Sequence, residues 1–210
     1  MTLDLLAALR AHRTLAVVRA RSIPDPAGVA ATLVEAGLPI VEFALSTPTT
    51  VDLIELASTV DGLLIGAGTV LTRRQARDAV SAGARFLATP AVRPEVAAEA
   101  ARQEVPLLIG ALTPTEVAAA VDAGSVAVMV FPAARLGPEY LRDLHGPYPG
   151  TPLVAGGGVH AGNAAEYLAA GAVAVAAGRA VISAEAAEAS RFAEIRLRTA
   201  EFVTAVDRSR

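Results

Sequence analysis

Apolar residues fall along this chain in short unbroken runs, separated by longer stretches with helical spacing. Eight runs stand out: residues 15–18, 39–43, 63–65, 85–88, 106–109, 126–130, 152–154 and 173–176. They do not alternate with polar residues, which fits strands covered on both faces. Four helical stretches end on an Ala-Gly pair followed by a strand: Ala36-Gly37, Ala82-Gly83, Ala123-Gly124 and Ala170-Gly171. The glycines recur at intervals of 46, 41 and 47 residues, close to two short βα units. Each stands where a helix end needs a left-handed residue before the chain turns back. Eight strands alternating with helices predict a (β/α)8 barrel, a single domain over residues 1–210. An open doubly wound sheet is the competing arrangement, and eight regular units disfavour it.

The two ends read as helices. Leu3, Leu5, Leu6 and Leu9 are interleaved with Asp4 and Arg10 and have no basic leader. This predicts an amphipathic first helix capping the N-terminal end of the barrel, not a signal peptide. A last helix is expected over about residues 184–206, with Phe192, Ile195, Phe202, Val203 and Val206 on one face. The longest apolar stretch, residues 168–178, is too short and too rich in Gly and Ala to cross a bilayer.

Composition narrows the function. Hydrophobic residues make up 53% of the chain and aromatic ones 4%, so the core is built from Ala, Val, Leu and Ile. The net charge of -3 argues against nucleic acid as a partner. With no cysteine there are no disulfides and no thiolate metal sites, which is compatible with a cytoplasmic location. All 18 basic residues are Arg, so no lysine is available.

In this fold, chemistry sits at the C-terminal strand ends. Read in order, those ends carry Arg19, Glu42, Gly66-Ala67-Gly68-Thr69, Thr89-Pro90, Gly110, Met129 to Pro132, Gly156-Gly157-Gly158 and Gly178-Arg179. Glu42 suits a general acid/base, or a carboxylate paired with Arg19. Arg19 offers a fork of donors for a ligand carboxylate, or orients Glu42. Thr69 presents a hydroxyl to a ligand or closes a Gly-rich turn. Phe131 makes an apolar wall. Gly157, Gly158, Gly178 and Arg179 suit a phosphate held by backbone N–H groups, a helix N-terminus and one guanidinium. Arg179 either makes that contact or turns to solvent. His160 reads as a cap or surface residue, with an anion contact as the alternative, and His12 and His145 as structural. One carboxylate is not a metal site, so neither metal nor cofactor is expected.

The strand ends also resemble one family. The pieces are Ala16-Val17-Val18-Arg19, Ile40-Val41-Glu42-Phe43, Ile65-Gly66-Ala67-Gly68-Thr69-Val70 and Phe86-Leu87-Ala88-Thr89-Pro90. Thr113-Pro114-Thr115-Glu116, Phe131-Pro132-Ala133, Gly146-Pro147-Tyr148-Pro149 and Gly156-Gly157-Gly158-Val159 follow in order. Together they resemble the 2-keto-3-deoxy-6-phosphogluconate / 4-hydroxy-2-oxoglutarate (KDPG/KHG) aldolases over nearly the whole chain. The resemblance implies cleavage of a sugar-acid phosphate or small oxo acid to pyruvate and an aldehyde, in a homotrimer. It implies Glu42 as acid/base and Arg19, Thr69, Thr89, Phe131 and Gly156 as substrate contacts. It also implies a Schiff-base lysine two residues before Phe131-Pro132, where this chain has Met129. A thioether forms no imine, so class I turnover is not expected. Two further departures, Ile109 and Gly156, are expected to alter the pocket walls, and Arg179 stands where a small hydroxyl residue is usual. The alternatives are a non-catalytic homo-oligomeric barrel and a nucleophile-dead variant of a true aldolase.

Overall fold

The computed structural model describes residues 4–46 and 49–208. Eight strands run parallel and close into a barrel in sequence order, β1 pairing with both β2 and β8. They are β1 Thr14–Val18, β2 Ile40–Ala44, β3 Leu64–Gly68, β4 Phe86–Thr89, β5 Leu107–Ala111, β6 Ala127–Val130, β7 Leu153–Gly156 and β8 Ala174–Ala177. Each overlaps its expected run. The open-sheet alternative is excluded by the β1–β8 pairing, in which Thr14, Leu15 and Ala16 face Val175, Ala176 and Ala177.

The outer layer consists of helices. They are α1 Leu5–His12, α2 Pro26–Glu35, α3 Thr50–Ala57, α4 Arg73–Ser81, α5 Pro94–Arg102 and α6 Pro114–Asp122. After them come α7 Glu139–His145, α8 Ala164–Ala169, α9 Ala184–Glu188 and α10 Phe192–Asp207. The four repeat glycines all have positive φ, between 82° and 103°, as the left-handed turn out of each helix requires. Thr72 and Thr113 close α4 and α6 with reciprocal capping boxes to Gln75 and Glu116.

Strand alternation divides the apolar residues into two cores. Leu15, Ile40, Phe86, Ala88, Leu108, Ala127, Met129, Val154, Ala174 and Ala176 fill the barrel interior. Their strand neighbours, among them Val41, Leu87, Ile109 and Val128, face the helices. Leu5 and Leu9 of α1 belong to the interior cluster, 1% and 0% exposed. The first helix is therefore a plug in the barrel floor, as its amphipathic pattern implies; residues 1–3 lie outside the described residues.

The last helix differs from its expectation. It is two helices, α9 and α10, broken at Ser190, whose φ is 48°. The Arg191 N–H returns to the Ala186 carbonyl there. No Gly or Pro marks the break, and the apolar face of α10 is as expected, with Ile195, Phe202 and Val206 buried. Among the described residues no helix is long and apolar enough to cross a membrane.

Truncating the floor plug should be costly. Leu9→Ala removes a fully buried side chain from the interior cluster and should destabilise by about 2–5 kcal/mol in urea unfolding. A loss under about 1 kcal/mol would show that α1 does not seal the barrel.

Candidate active site

At the C-terminal mouth the inward positions are mostly small: Gly66, Gly68, Ala88, Gly110, Gly156 and Ala176. Larger side chains enter this space from β2 and β6, Glu42 and Met129, alongside the apolar Val17 and the Phe86 ring that fills the volume beside Gly66. Glu42 sits in register with Val17 of β1 and Gly66 of β3. Its carboxyl rests on the β3 backbone, because a Cβ at Gly68 would lie 2.4 Å from its Oε1. Any side chain at 68 would displace it.

Glu42 is 4% exposed and its buried Oε2 has no hydrogen-bond partner among the described residues. Burial pushes its pKa up to about 7, and the positive charge of Arg19 offsets only part of that rise. An acid that titrates near neutrality can give or take a proton at the barrel mouth.

Arg19 is not ion-paired with Glu42 among the described residues. Its guanidinium donates instead to the Ser46 hydroxyl, in the loop after β2, and to Thr69 Oγ1 at 2.9 Å, just past β3. Thr69 holds a left-handed φ of 57°, unusual for a β-branched residue. The three residues tie together the ends of the first three strands.

Met129 is 9% exposed in the interior cluster. Its side chain leans over β7: a Cβ on Gly156 would stand 2.9 Å from Sδ and 3.1 Å from Cγ. Met129 thus occupies the volume a side chain at 156 would need. Phe131 is 45% exposed and lies over Gly157, forming the rim and not an enclosed wall.

Gly157 and Gly158 have φ of 84° and 86°. The β6 loop rests on them, with Ala134 N–H donating to the Gly157 carbonyl. The helix expected directly after the glycines starts only at Ala164, because residues 159–163 form a turn of their own. There the His160 N–H donates to Asn163 Oδ1, Asn163 Nδ2 donates to the Gly158 carbonyl, and Gly162 N–H donates to His160 Nδ1. His160 is thereby a turn residue. Gly178 and Arg179 follow β8, and the exposed Arg179 guanidinium makes no hydrogen bond or ion pair among the described residues.

Two expectations fail on side-chain parity. Thr89 is register-paired with the helix-facing Ile109, so both point away from the barrel interior. Thr89 is buried on that outer side, its Oγ1 without a partner among the described residues, and is not a mouth contact. Ile109 is likewise no pocket wall; the inward residue on β5 is Gly110, opposite Met129. A second strongly shifted carboxyl, Glu99, lies in the helix layer and not at the mouth. Hydrogen bonds from Arg102 and Arg77, with their charges, hold it down to about 2. It is covered by these two half-exposed arginines and serves helix packing. Among the described residues, no three His, Asp or Glu side chains gather in a metal-binding group.

Residues 5–197 match the family model described as "KDPG and KHG aldolase". The chain belongs to this aldolase family. The 2-dehydro-3-deoxy-phosphogluconate aldolase of Treponema pallidum is 32% identical over 190 residues, covering 90% of each chain. The KHG/KDPG aldolase of Escherichia coli K12 is 30% identical over 181 residues, 85% of each. A solved KDPG aldolase from Legionella pneumophila, with pyruvate captured as a covalent carbinolamine intermediate, superposes with a TM-score of 0.86. It is 28% identical, and the match covers 95% of this chain and 98% of that one. The barrel is thus that of the aldolase family.

The buried acid of this aldolase-family barrel makes stability depend on pH. Glu42 holds its proton more tightly when folded than the ordinary 4.5 of an unfolded chain. Between 4.5 and about 7 the unfolded state ionises first, so stability falls as pH rises and levels off above that range. Glu42→Gln removes the effect. It should stabilise the protein at pH 8 by up to about 3 kcal/mol, and change little at pH 4.5. Urea unfolding at both values checks this; equal effects at both would show that Glu42 ionises normally.

Proposed function

We propose that this family member binds a small 2-oxo acid, or a sugar-acid phosphate, at the barrel mouth and moves protons on it through Glu42, without a Schiff base. The observation that carries this is Glu42 itself: buried beside Arg19, with no partner on Oε2 among the described residues, and with its pKa pushed up to about 7 by burial. Ionised Glu42 takes a proton from the carbon next to the ligand's ketone. The electron pair moves onto the ketone oxygen as an enolate, and Arg19 supplies a positive field for the enolate and the carboxylate. Returning the proton restores the keto acid.

Met129 marks the limit of this chemistry. We read it as standing in the position of the family's imine-forming lysine, and no other side-chain amine exists in the chain. Carbon–carbon cleavage then lacks its electron sink, so class I aldol turnover is not expected. Met129 and Gly156 share one volume, which supports a co-adapted pair more than a lysine lost by a single exchange. Gly157, Gly158, Gly178 and Arg179 make the anion end of the site. Arg19, Thr69, Phe131 and Gly156 border the oxo-acid end. The family resemblance supports assembly as a homotrimer in the cytoplasm.

Proton exchange at C3 of pyruvate in deuterated buffer, followed by proton NMR, tests this directly. Exchange should rise with pH through about 7 and fall about 10²–10⁴-fold in Glu42→Gln. Pyruvate that binds without exchanging would instead make this a binding barrel without turnover.

The amine test is complementary. Borohydride with pyruvate should leave the wild-type mass unchanged. Met129→Lys, a swap between unbranched side chains of similar length, should gain one reduced pyruvyl adduct. A folded Met129→Lys that traps nothing would count against a pyruvate site here.

At the other end, Arg179→Ala should weaken binding of inorganic phosphate about tenfold to a hundredfold by calorimetry, the value of one charge-assisted contact. Glu42→Gln should leave phosphate binding nearly unchanged. Wild-type protein that binds no phosphate below about 10 mM would remove the anion end of the site.

A further inference from the structure

The turn that closes β3 holds both members of the proposed acid–arginine pair. Gly68 lies against the Glu42 carboxyl, and Thr69 accepts from Arg19. Thr69 sits in a left-handed conformation that a β-branched residue does not hold unaided. The next residues are pinned from outside. Val70 N–H donates to the Ala88 carbonyl, and Gln75 Oε1 accepts from Leu71 and Thr72 N–H. The Leu71 carbonyl receives two donors from one side chain, Arg93 Nε at 3.0 Å and Nη2 at 2.8 Å.

Arg93 is an odd choice for its own helix. It occupies the N-cap of α5, where it makes no capping hydrogen bond. The flanking α4 and α6 carry threonine there, each in a full capping box. A positive charge at a helix N-terminus also opposes the helix dipole, and Glu95 at 3.5 Å answers it only in part. A residue that breaks the local rule on one helix, and spends its fork on a neighbouring loop, points to a task in that loop.

We propose that Arg93 is a positioning residue: its fork on the Leu71 carbonyl locks the β3 turn, so that Gly68 and Thr69 hold Glu42 and Arg19 in their working arrangement. This rests on Glu42 and Arg19 being the proposed functional pair. The line of contact runs from Arg93 to Leu71, through the turn to Thr69, and on to Arg19, the charged group that acts on Glu42.

Arg93→Thr separates this role from a structural one, because threonine restores a good N-cap while removing the clamp. The readout is the titration midpoint of the Glu42 carboxyl carbon by carbon-13 NMR, assigned with Glu42→Gln, together with urea unfolding. The expected result is an unfolding midpoint equal to or above wild type, with the Glu42 midpoint moved upward by about half a pH unit. The upward direction follows because Arg19 favours the ionised form and is held less firmly. Arg93→Lys, which still donates to a carbonyl, should return the midpoint towards wild type, and Arg93→Gln serves if the threonine variant does not fold. An unchanged Glu42 midpoint in a folded clampless variant overturns the proposal. The titration needs no ligand. Wild-type protein that exchanges no pyruvate protons would refute the proposed reaction, while the titration still decides the role of Arg93.

Discussion

Closing eight strands into a ring leaves one side of each strand facing inward and the other facing the helices, and the strand residues at the mouth obey that alternation. Along β2 it turns Glu42 inward and Val41 and Phe43 outward. Along β6 it turns Met129 inward. The same rule removes Thr89 and Ile109 from the site, since they are paired with each other on the outer face. The inward layer at the mouth is then mostly glycine and alanine, so two side chains define its chemistry. One is an acid with no partner on its buried oxygen among the described residues, the other a thioether fitted against a glycine.

Burying that acid has a thermodynamic cost, and the surroundings limit it without removing it. A direct ion pair with Arg19 would have lowered the pKa of Glu42 and left it ionised at neutral pH. Arg19 is instead held by two hydroxyls from neighbouring loops, close enough to act through its field. The result is a carboxyl whose charge is undecided at physiological pH, which is what proton transfer in both directions needs.

The sequence displayed the architecture well, because period and punctuation are local. Eight apolar runs, four Ala-Gly stops and the amphipathic first helix all found their counterparts. The family was readable too, because the order and spacing of the strand-end pieces resemble it. What the sequence concealed was parity and tertiary contact. Thr89 and Thr69 each follow an inward-facing residue, Ala88 and Gly68; Thr89 stays in the strand and faces out, whereas Thr69 lies past the strand end and its left-handed backbone lets it meet Arg19, a difference nothing local displays. The break at Ser190 carries no glycine or proline. Arg93 carries no such local signal either, because its partner lies 22 residues away in another loop. The one local hint was a missing cap residue between two well-capped helices.

The β1–β8 seam has a consequence for how the chain comes to exist. Thr14 is paired with Val175, about 160 residues later. During synthesis, β1 therefore waits with one open edge until β8 has left the ribosome. The outer layer repeats the delay, since α10, the last helix, packs on α2 and joins it through the Arg196–Glu35 ion pair. Ring closure is thus the latest and least local event of folding. Until β8 is made, the edges of β1 and of the growing sheet stay unpaired, and it is during that interval that chaperones would matter.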